Sequence, residues 1–464
     1  LAVFKSICRR ERVNCEVLGE ITGDGNVVVY DSADNTTPVN LSLADILSNI
    51  PRKRFVSNHL KSKLSPLVIP EGLTVDEALR MVFLLPQVGS KGFLVRKVDR
   101  SVTGLVARQQ CCGPMQVPVS DVAVTADGYF GLTGAAIALG EQPIKMLVDP
   151  AAGARMAVVE MLTNLASVRI TKLSDVKCRI NWMWAAKRPG EGALLYDAAV
   201  AMRDIVLRLG IAIDGGKDSL SMATQVGESL VVSPGELVIM GYAPVPDITK
   251  VVTPDLEGSG CLGFIKLAGP CRRLGGSALA QALGQVGGES PDVDVLNGAL
   301  YLAHAFEAVQ ELIDKGLITA YHDVSDGGLI TAVAEMCIAG NRGACLRYNR
   351  SINPFLELFC EEAGMLFEFE PKSRGAITRV MSKHCVQYSQ IGVVNTREGG
   401  NLCILGGTTR LLDRSVTELR FWWEATSTAL ERLQANPETV EAESESHGDG
   451  RTPKYKLLFT PKAP

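Results

Sequence analysis

Pro244, Pro246 and Pro254 interrupt residues 244–258, between two stretches in which strand and helix patterns alternate. Proline brings no N–H to a ladder and pushes the residue before it out of the helical region, so neither kind of element runs easily through such a segment. A domain boundary is expected there. The 464 residues also exceed what one hydrophobic core usually organises. Two or three domains are therefore expected, of mixed α/β (α+β) class.

Around that boundary the organisation is legible in outline. Residues 1–60 mix short strand-like runs such as Val27-Val28-Val29-Tyr30 with turn signals at Gly23-Asp24-Gly25 and Asp34-Asn35. They are expected to be the end of a domain whose beginning is missing. Residues 61–90 read as a linker with two prolines, followed by a capped helix opening at Thr74-Val75-Asp76-Glu77. Over 91–245, Phe93-Leu94-Val95, Val122-Ala123-Val124 and Leu237-Val238-Ile239 read as buried strands between helices. A further domain spans 258–405, with a strand at Gly263-Phe264-Ile265-Lys266-Leu267, and 406–464 is a tail that reads as solvated linker after Asn436.

Composition excludes several function classes. Formal net charge is -4, from 47 basic and 51 acidic residues, so no global field gathers polyanions and nucleic-acid binding is not expected. The densest basic stretch, Pro51-Arg52-Lys53-Arg54 with Lys61 and Lys63, lacks interleaved aromatics and reads as a solvated face. No run approaches the roughly 18 apolar residues of a membrane span. The 12 cysteines show no C-x-x-C spacing, which fits reduced thiols in the cytoplasm. Leu1 is not a methionine and no signal peptide follows it, so a truncated chain is expected.

Five constellations bear on chemistry. Asp149-Pro150 starts a helix over Ala151 to Val168, since Asp suits the N-cap and proline the first helical position. Glu160 and Asn164, four apart, share one side of it and could hold a cation between hard oxygens, although spacing alone makes an exposed polar pair the commoner outcome. Asp121 heads the buried strand at Val122, where an unpaired carboxylate is costly; it needs a metal, an arginine or a cap. His322-Asp323-Val324-Ser325-Asp326-Gly327-Gly328 feeds a helix N-terminus suited to phosphate, or is an ordinary turn capped by Ser325 or Asp326. His322 alone reads as a packed or capping histidine. Asp214-Gly215-Gly216-Lys217-Asp218-Ser219 is a polar loop that lacks the Walker spacing, and Gly258-Ser259-Gly260-Cys261-Leu262-Gly263 precedes a strand, the wrong order for a dinucleotide turn.

Five ordered blocks carry a resemblance: Asp99-Arg100-Ser101-Val102-Thr103-Gly104, Gly113-Pro114-Met115-Gln116 through Val124, Asn181-Trp182-Met183-Trp184, Gly216-Lys217-Asp218-Ser219-Leu220-Ser221-Met222, and His322 through Gly328. Together they resemble the large, single-chain, animal-like phosphoribosylformylglycinamidine synthase family, from near Leu1 through Phe421-Trp422-Trp423-Glu424. The resemblance implies aminoimidazole ribonucleotide synthetase-like tandem A and B domains: the end of the first B domain, then the second A and B domains. It implies magnesium held by Asp121, Glu160, Asn164 and Asp323, with Ser120, Ser325 and Lys91 near ATP or ADP. These four metal positions are similar to the set that holds an auxiliary rather than a turned-over nucleotide. The implied reaction has ATP phosphorylate the formamide oxygen of formylglycinamide ribonucleotide, after which ammonia displaces phosphate. That ammonia would come from glutamine through a glutaminase domain expected to be absent here. No catalytic residue is assigned.

Two alternatives stand beside this. A stand-alone aminoimidazole ribonucleotide or selenophosphate synthetase would carry its own complete glycine-rich amino-terminal loop, whereas this chain begins inside a domain. A non-catalytic nucleotide-binding fragment is the alternative of a different class.

Overall fold

The computed structural model describes residues 1–47, 54–60, 63–258 and 260–448. The chain divides into two compact units, Leu1–Val56 and Ser57–Pro464. In the first, α1 (Ala2–Arg10) precedes an antiparallel hairpin of β1 (Asn26–Asp31) and β2 (Thr36–Ser42), then the short α2 (Leu43–Leu47). Asp24 and Asp34 fix the turns by accepting from the N–H two residues on, Asn26 and Thr36, at 2.9 and 3.0 Å. Within the basic stretch, 51–53 and 61 lie outside the described residues; Arg54 is exposed.

The second unit opens with α3 (Val75–Phe83), whose capping box joins Thr74 and Glu77, and α4 (Gly92–Val95). The expected strand at Phe93-Leu94-Val95 is therefore helical, because three apolar residues have no period of their own and Leu94 is exposed. A six-stranded sheet follows, built from β3 (Val106–Arg108), β4 (Ala123–Ala126), β5 (Gly134–Glu141), β6 (Lys177–Met183) and β7 (Ala212–Ser219), with a separate hairpin of β8 (Ala223–Val226) and β9 (Ser229–Val232), and then β10 (Glu236–Val245). Its order is β3-β4-β5-β10-β6-β7, antiparallel except for β6–β7. Asp214 to Ser219, expected as a loop, is thus an edge strand. Being polar and largely exposed, it lacks the alternation that marks a half-buried strand. Pro244 lies inside β10 rather than beyond it. Pairing with β6 stops at Tyr242, so the missing N–H of Pro244 removes no bond on that side.

One face of this sheet is covered by α5 (Pro143–Val148), α6 (Pro150–Leu165) and α7 (Glu191–Leu209). Asp149 caps α6 through Ala151 and Ala152 N–H at 2.9 and 3.0 Å, as its sequence implies, but the helix stops at Leu165 rather than Val168. The second sheet contains β11 (Cys261–Lys266), β12 (Ala320–Val324), β13 (Arg342–Arg347), β14 (Gly364–Phe369), β15 (Ser389–Val394), β16 (Gly399–Gly406) and β17 (Thr409–Ser415). Its order is β12-β14-β11-β15-β13-β16-β17, with only β13–β16 parallel. Helices α8 (Ala278–Ala282), α9 (Asn297–Asp314), α10 (Gly328–Gly340), α11 (Pro354–Leu358), α12 (Arg374–Lys383) and α13 (Val416–Glu431) pack around it. Residues after Asn436, expected as linker, form α14 (Pro437–Ser446), capped by Asn436 with Val440 buried; 449–464 lie outside the described residues, as does Ser259.

One apolar core runs from Val122 and Ile239 of the first sheet to Ile265 and Phe367 of the second. Another joins α3, α10 and α13. Because the first core is shared by both sheets, it holds them together around the cavity described next.

Candidate nucleotide and metal site

A cavity of about 410 Å³ lies where β4, β5 and α6 meet β12, α10, α13 and the segment before α4. Six of the seven expected site residues line it: Lys91, Ser120, Asp121, Asn164, Asp323 and Ser325. Glu160, the seventh, does not reach the cavity wall. Its Oε2 accepts from Glu141 N–H at 2.7 Å and Gln142 Nε2 at 2.9 Å. It still belongs to the same electrostatic neighbourhood: burial first, then Asp323, Glu141 and Asp326, raise its pKa well above the ordinary value.

Asp121 is held by a histidine from the second sheet. His322 Nδ1 lies 2.7 Å from Asp121 Oδ1, and its Nε2 lies 3.2 Å from Glu335 Oε2 on α10. Glu335 in turn accepts from Trp423 Nε1 of α13 at 3.2 Å. Burial opposes charge on this imidazole, but Asp121 and Glu335 outweigh it and raise its pKa well above the ordinary value. An imidazolium donating from both nitrogens has no lone pair for a metal. His322 is thus a buried, satisfied cation that orients Asp121, and the packed histidine expected from sequence is what the fold contains.

Three oxygens remain for a cation. Asp121 Oδ2 is buried and has no hydrogen-bond partner among the described residues. Ligand atoms of Asp121 and Asp323 lie within 4.8 Å of each other. Asn164 gives its Nδ2 to Leu139 O at 3.0 Å, which turns the amide oxygen free. Burial and the neighbouring Asp121 push the Asp323 carboxyl up, and the nearby His322 offsets only part of that shift. An orphaned buried carboxylate oxygen among hard oxygen donors fits magnesium, and nothing in the set suits a softer ion.

The lysine and serines are partly committed. Lys91 Nζ donates to Gln87 O at 2.7 Å and Gly89 O at 2.6 Å, and burial lowers its pKa. Ser120 Oγ donates to Val122 O at 3.0 Å. The glycine turn departs from expectation. Neither Ser325 nor Asp326 caps α10; Gly327 does so at φ 86°, and its N–H is already taken by Glu361 at 2.7 Å. A Cβ on Gly328 would meet the backbone of Leu358 to Cys360 within 3 Å. These glycines serve close packing, so of the turn only Ser325 faces the cavity.

Sequence reasoning missed the buried groups behind this wall. Lys145, fully buried on α5, bonds Glu361 and Gln142 and lies 3.4 Å from Asp326. Glu361 also accepts from Ala278 N–H at 2.7 Å. Burial disfavours the charge on Lys145, yet Glu361 and Asp326 hold it protonated. A lone charge in an otherwise apolar helix was the available signal, both for Lys145 in Pro143–Val148 and for Glu335 in Gly328–Gly340.

Comparison with known proteins bears on family and fold. Residues 90–244 match the FGAR-AT PurM_N-like domain, and 264–403 match the AIR synthase related protein, C-terminal domain. The chain is 44% identical over 99% of its length to a probable phosphoribosylformylglycinamidine synthase of Arabidopsis thaliana, covering 34% of that protein. Against the phosphoribosylformylglycinamidine synthase of Homo sapiens it is 44% identical over 98% of the chain and 36% of the relative. The chain thus spans about a third of the curated relatives it matches. Among solved structures, Thermotoga maritima PurL complexed with FGAR superposes with TM-score 0.54 at 13% identity, covering 75% of this chain and 54% of that one. That likeness shows the aminoimidazole ribonucleotide synthetase-like α/β fold.

Proposed function

The chain is a homologue of the phosphoribosylformylglycinamidine synthases, matching about a third of their length, and from that premise we propose that it is the magnesium-nucleotide-holding part of such an ATP-dependent carbon–nitrogen ligase. The whole enzyme would convert formylglycinamide ribonucleotide, ATP and glutamine-derived ammonia to the amidine in purine synthesis. Asp121, Asn164 and Asp323 would hold the ion at the cavity, with Glu160 supporting them from α6. Bound there, magnesium supplies positive charge against a polyphosphate. The chain's own groups do the rest. His322 fixes the direction of Asp121, Ser120 and Ser325 offer hydroxyls to the nucleotide, and Lys91 adds a cation to the lining.

The observation that carries this reading is the buried Oδ2 of Asp121, without a hydrogen-bond partner among the described residues, beside other oxygen donors. Titration calorimetry of ADP with and without magnesium tests it. Binding should be much tighter with the ion, and equal affinity in both would overturn the assignment.

A further inference from the structure

A second, larger cavity of about 1350 Å³ opens beside β11, bounded by the loop after that strand, the start of α9 and the approach to β15. Its volume exceeds the roughly 300–1,000 Å³ usual for small-molecule sites. Three guanidinium groups on its wall are already fixed by acids. Arg155 meets both oxygens of Asp292 at 2.7 Å; Arg273 clasps Glu362 at 2.7 and 3.0 Å and adds Asp292 O at 2.9 Å; Arg272 pairs with Glu357 and with Pro270 O at 2.9 Å. Among the described residues each arginine keeps one terminal amino group without a bond, so the forks are held rigid while one edge stays available. Rigid donors of this kind lose little entropy when an anion arrives.

Lys266 is different. It projects from β11 half-buried, and among the described residues its Nζ makes no ion pair and no hydrogen bond. Burial lowers its pKa, the cost of a cation without a partner. The acids that could have served are spent: Asp292, Glu357 and Glu362 on the arginines, and Asp294 on the N–H of Asn297 at 2.6 Å. The four cations Arg155, Lys266, Arg272 and Arg273 are matched in number by Asp292, Asp294, Glu357 and Glu362, but each arginine holds its acid directly while Lys266 holds none among the described residues. The unpaired charge sits at Lys266. Beside it the rings of Phe264 and Tyr388 give a flat apolar face, with Tyr388 braced by Phe367 and Phe369 at centroid distances of 5.8 and 6.3 Å.

We propose that this cavity is a separate binding site for a small phosphate ester, its phosphate meeting Lys266 and the free edges of Arg272 and Arg273 and its organic part lying against Tyr388 and Phe264. It shares no lining residue with the nucleotide cavity and does not depend on that assignment. Amine-reactive labelling of the full chain, read by peptide mass spectrometry, tests it directly. Ribose 5-phosphate should protect Lys266 while leaving exposed Lys187 unchanged, and should do so at lower concentration than inorganic phosphate. A charge-assisted bond in a half-buried site is worth about a tenfold change in affinity or more. Lys266→Gln should therefore weaken ribose 5-phosphate binding by about that factor, and Lys266→Arg should largely keep it. Labelling of Lys266 that neither probe alters in the wild-type chain would overturn the proposal, as would undiminished binding by Lys266→Gln.

Discussion

Glu311 on α9 gathers three nitrogens: Lys315 and Lys383 Nζ at 2.6 Å and His384 Nε2 at 2.8 Å. Hydrogen bonds from Lys315, Lys383 and His384 pull its carboxyl from the ordinary 4.5 to about 2. The folded state thus holds this proton more weakly than the unfolded chain does. Its contribution is complete above about 4.5 and fades as the pH falls toward 2. Glu311→Gln should lower the urea midpoint at pH 7 and flatten the loss of stability across that window. An acid limb identical to wild type would show that the cluster contributes nothing. This cluster was invisible in the sequence, because Glu311 and Lys383 are 72 residues apart and surface charges carry no period. Asp149 is the opposite case. Its role is local, a cap beside a proline, and local chemistry can be read from adjacent letters.

At the scale of elements, α6 lies on β5 with almost no space between them. An ideal Cβ on Gly140 would sit 2.0 Å from Ala157 O and 2.6 Å from Met161 N, and both are helix backbone. No side-chain rotation relieves that contact, so α6 itself must shift, carrying Glu160 and Asn164 with it. Gly140→Ala should cost at least the roughly 1–3 kcal/mol of overpacking, measured by urea unfolding, and should weaken magnesium-dependent ADP binding. Gly215→Ala is the matched comparison, since a Cβ added there, on the exposed edge strand, would meet nothing within 4 Å. Equal losses in the two variants would contradict the close-approach account. Helix α6 was legible because a cap and a proline agree. Strand β7 was not, since its polar and exposed residues resemble a loop, and Gly140 gave no sign of the helix that would cross it.

At the scale of the whole molecule, the candidate site exists only when the two sheets are docked. Asp121 comes from the first sheet and His322 from the second, 201 residues later, and the apolar core beneath them is continuous. Spacing could suggest each residue singly, and family resemblance could group them, but the bond between them is a product of tertiary packing. A ligand bound to that composite site stabilises both halves together by mass action, about 2.7 kcal/mol at a free concentration one hundred times its dissociation constant. Magnesium-ADP should therefore raise the midpoint of one cooperative thermal transition in which both sheets melt. Asp121→Asn keeps an oxygen for His322 but removes the carboxylate charge, leaving that buried cation less compensated and the metal without its orphaned ligand. The variant should melt lower than wild type and lose the rise with magnesium-ADP, while retaining its far-ultraviolet circular dichroism at low temperature. If it kept the nucleotide-dependent rise in full, Asp121 would not hold the ion. If wild type melted in two steps with only one of them shifted by nucleotide, the ligand would be reading one sheet alone, and the composite site would be wrong.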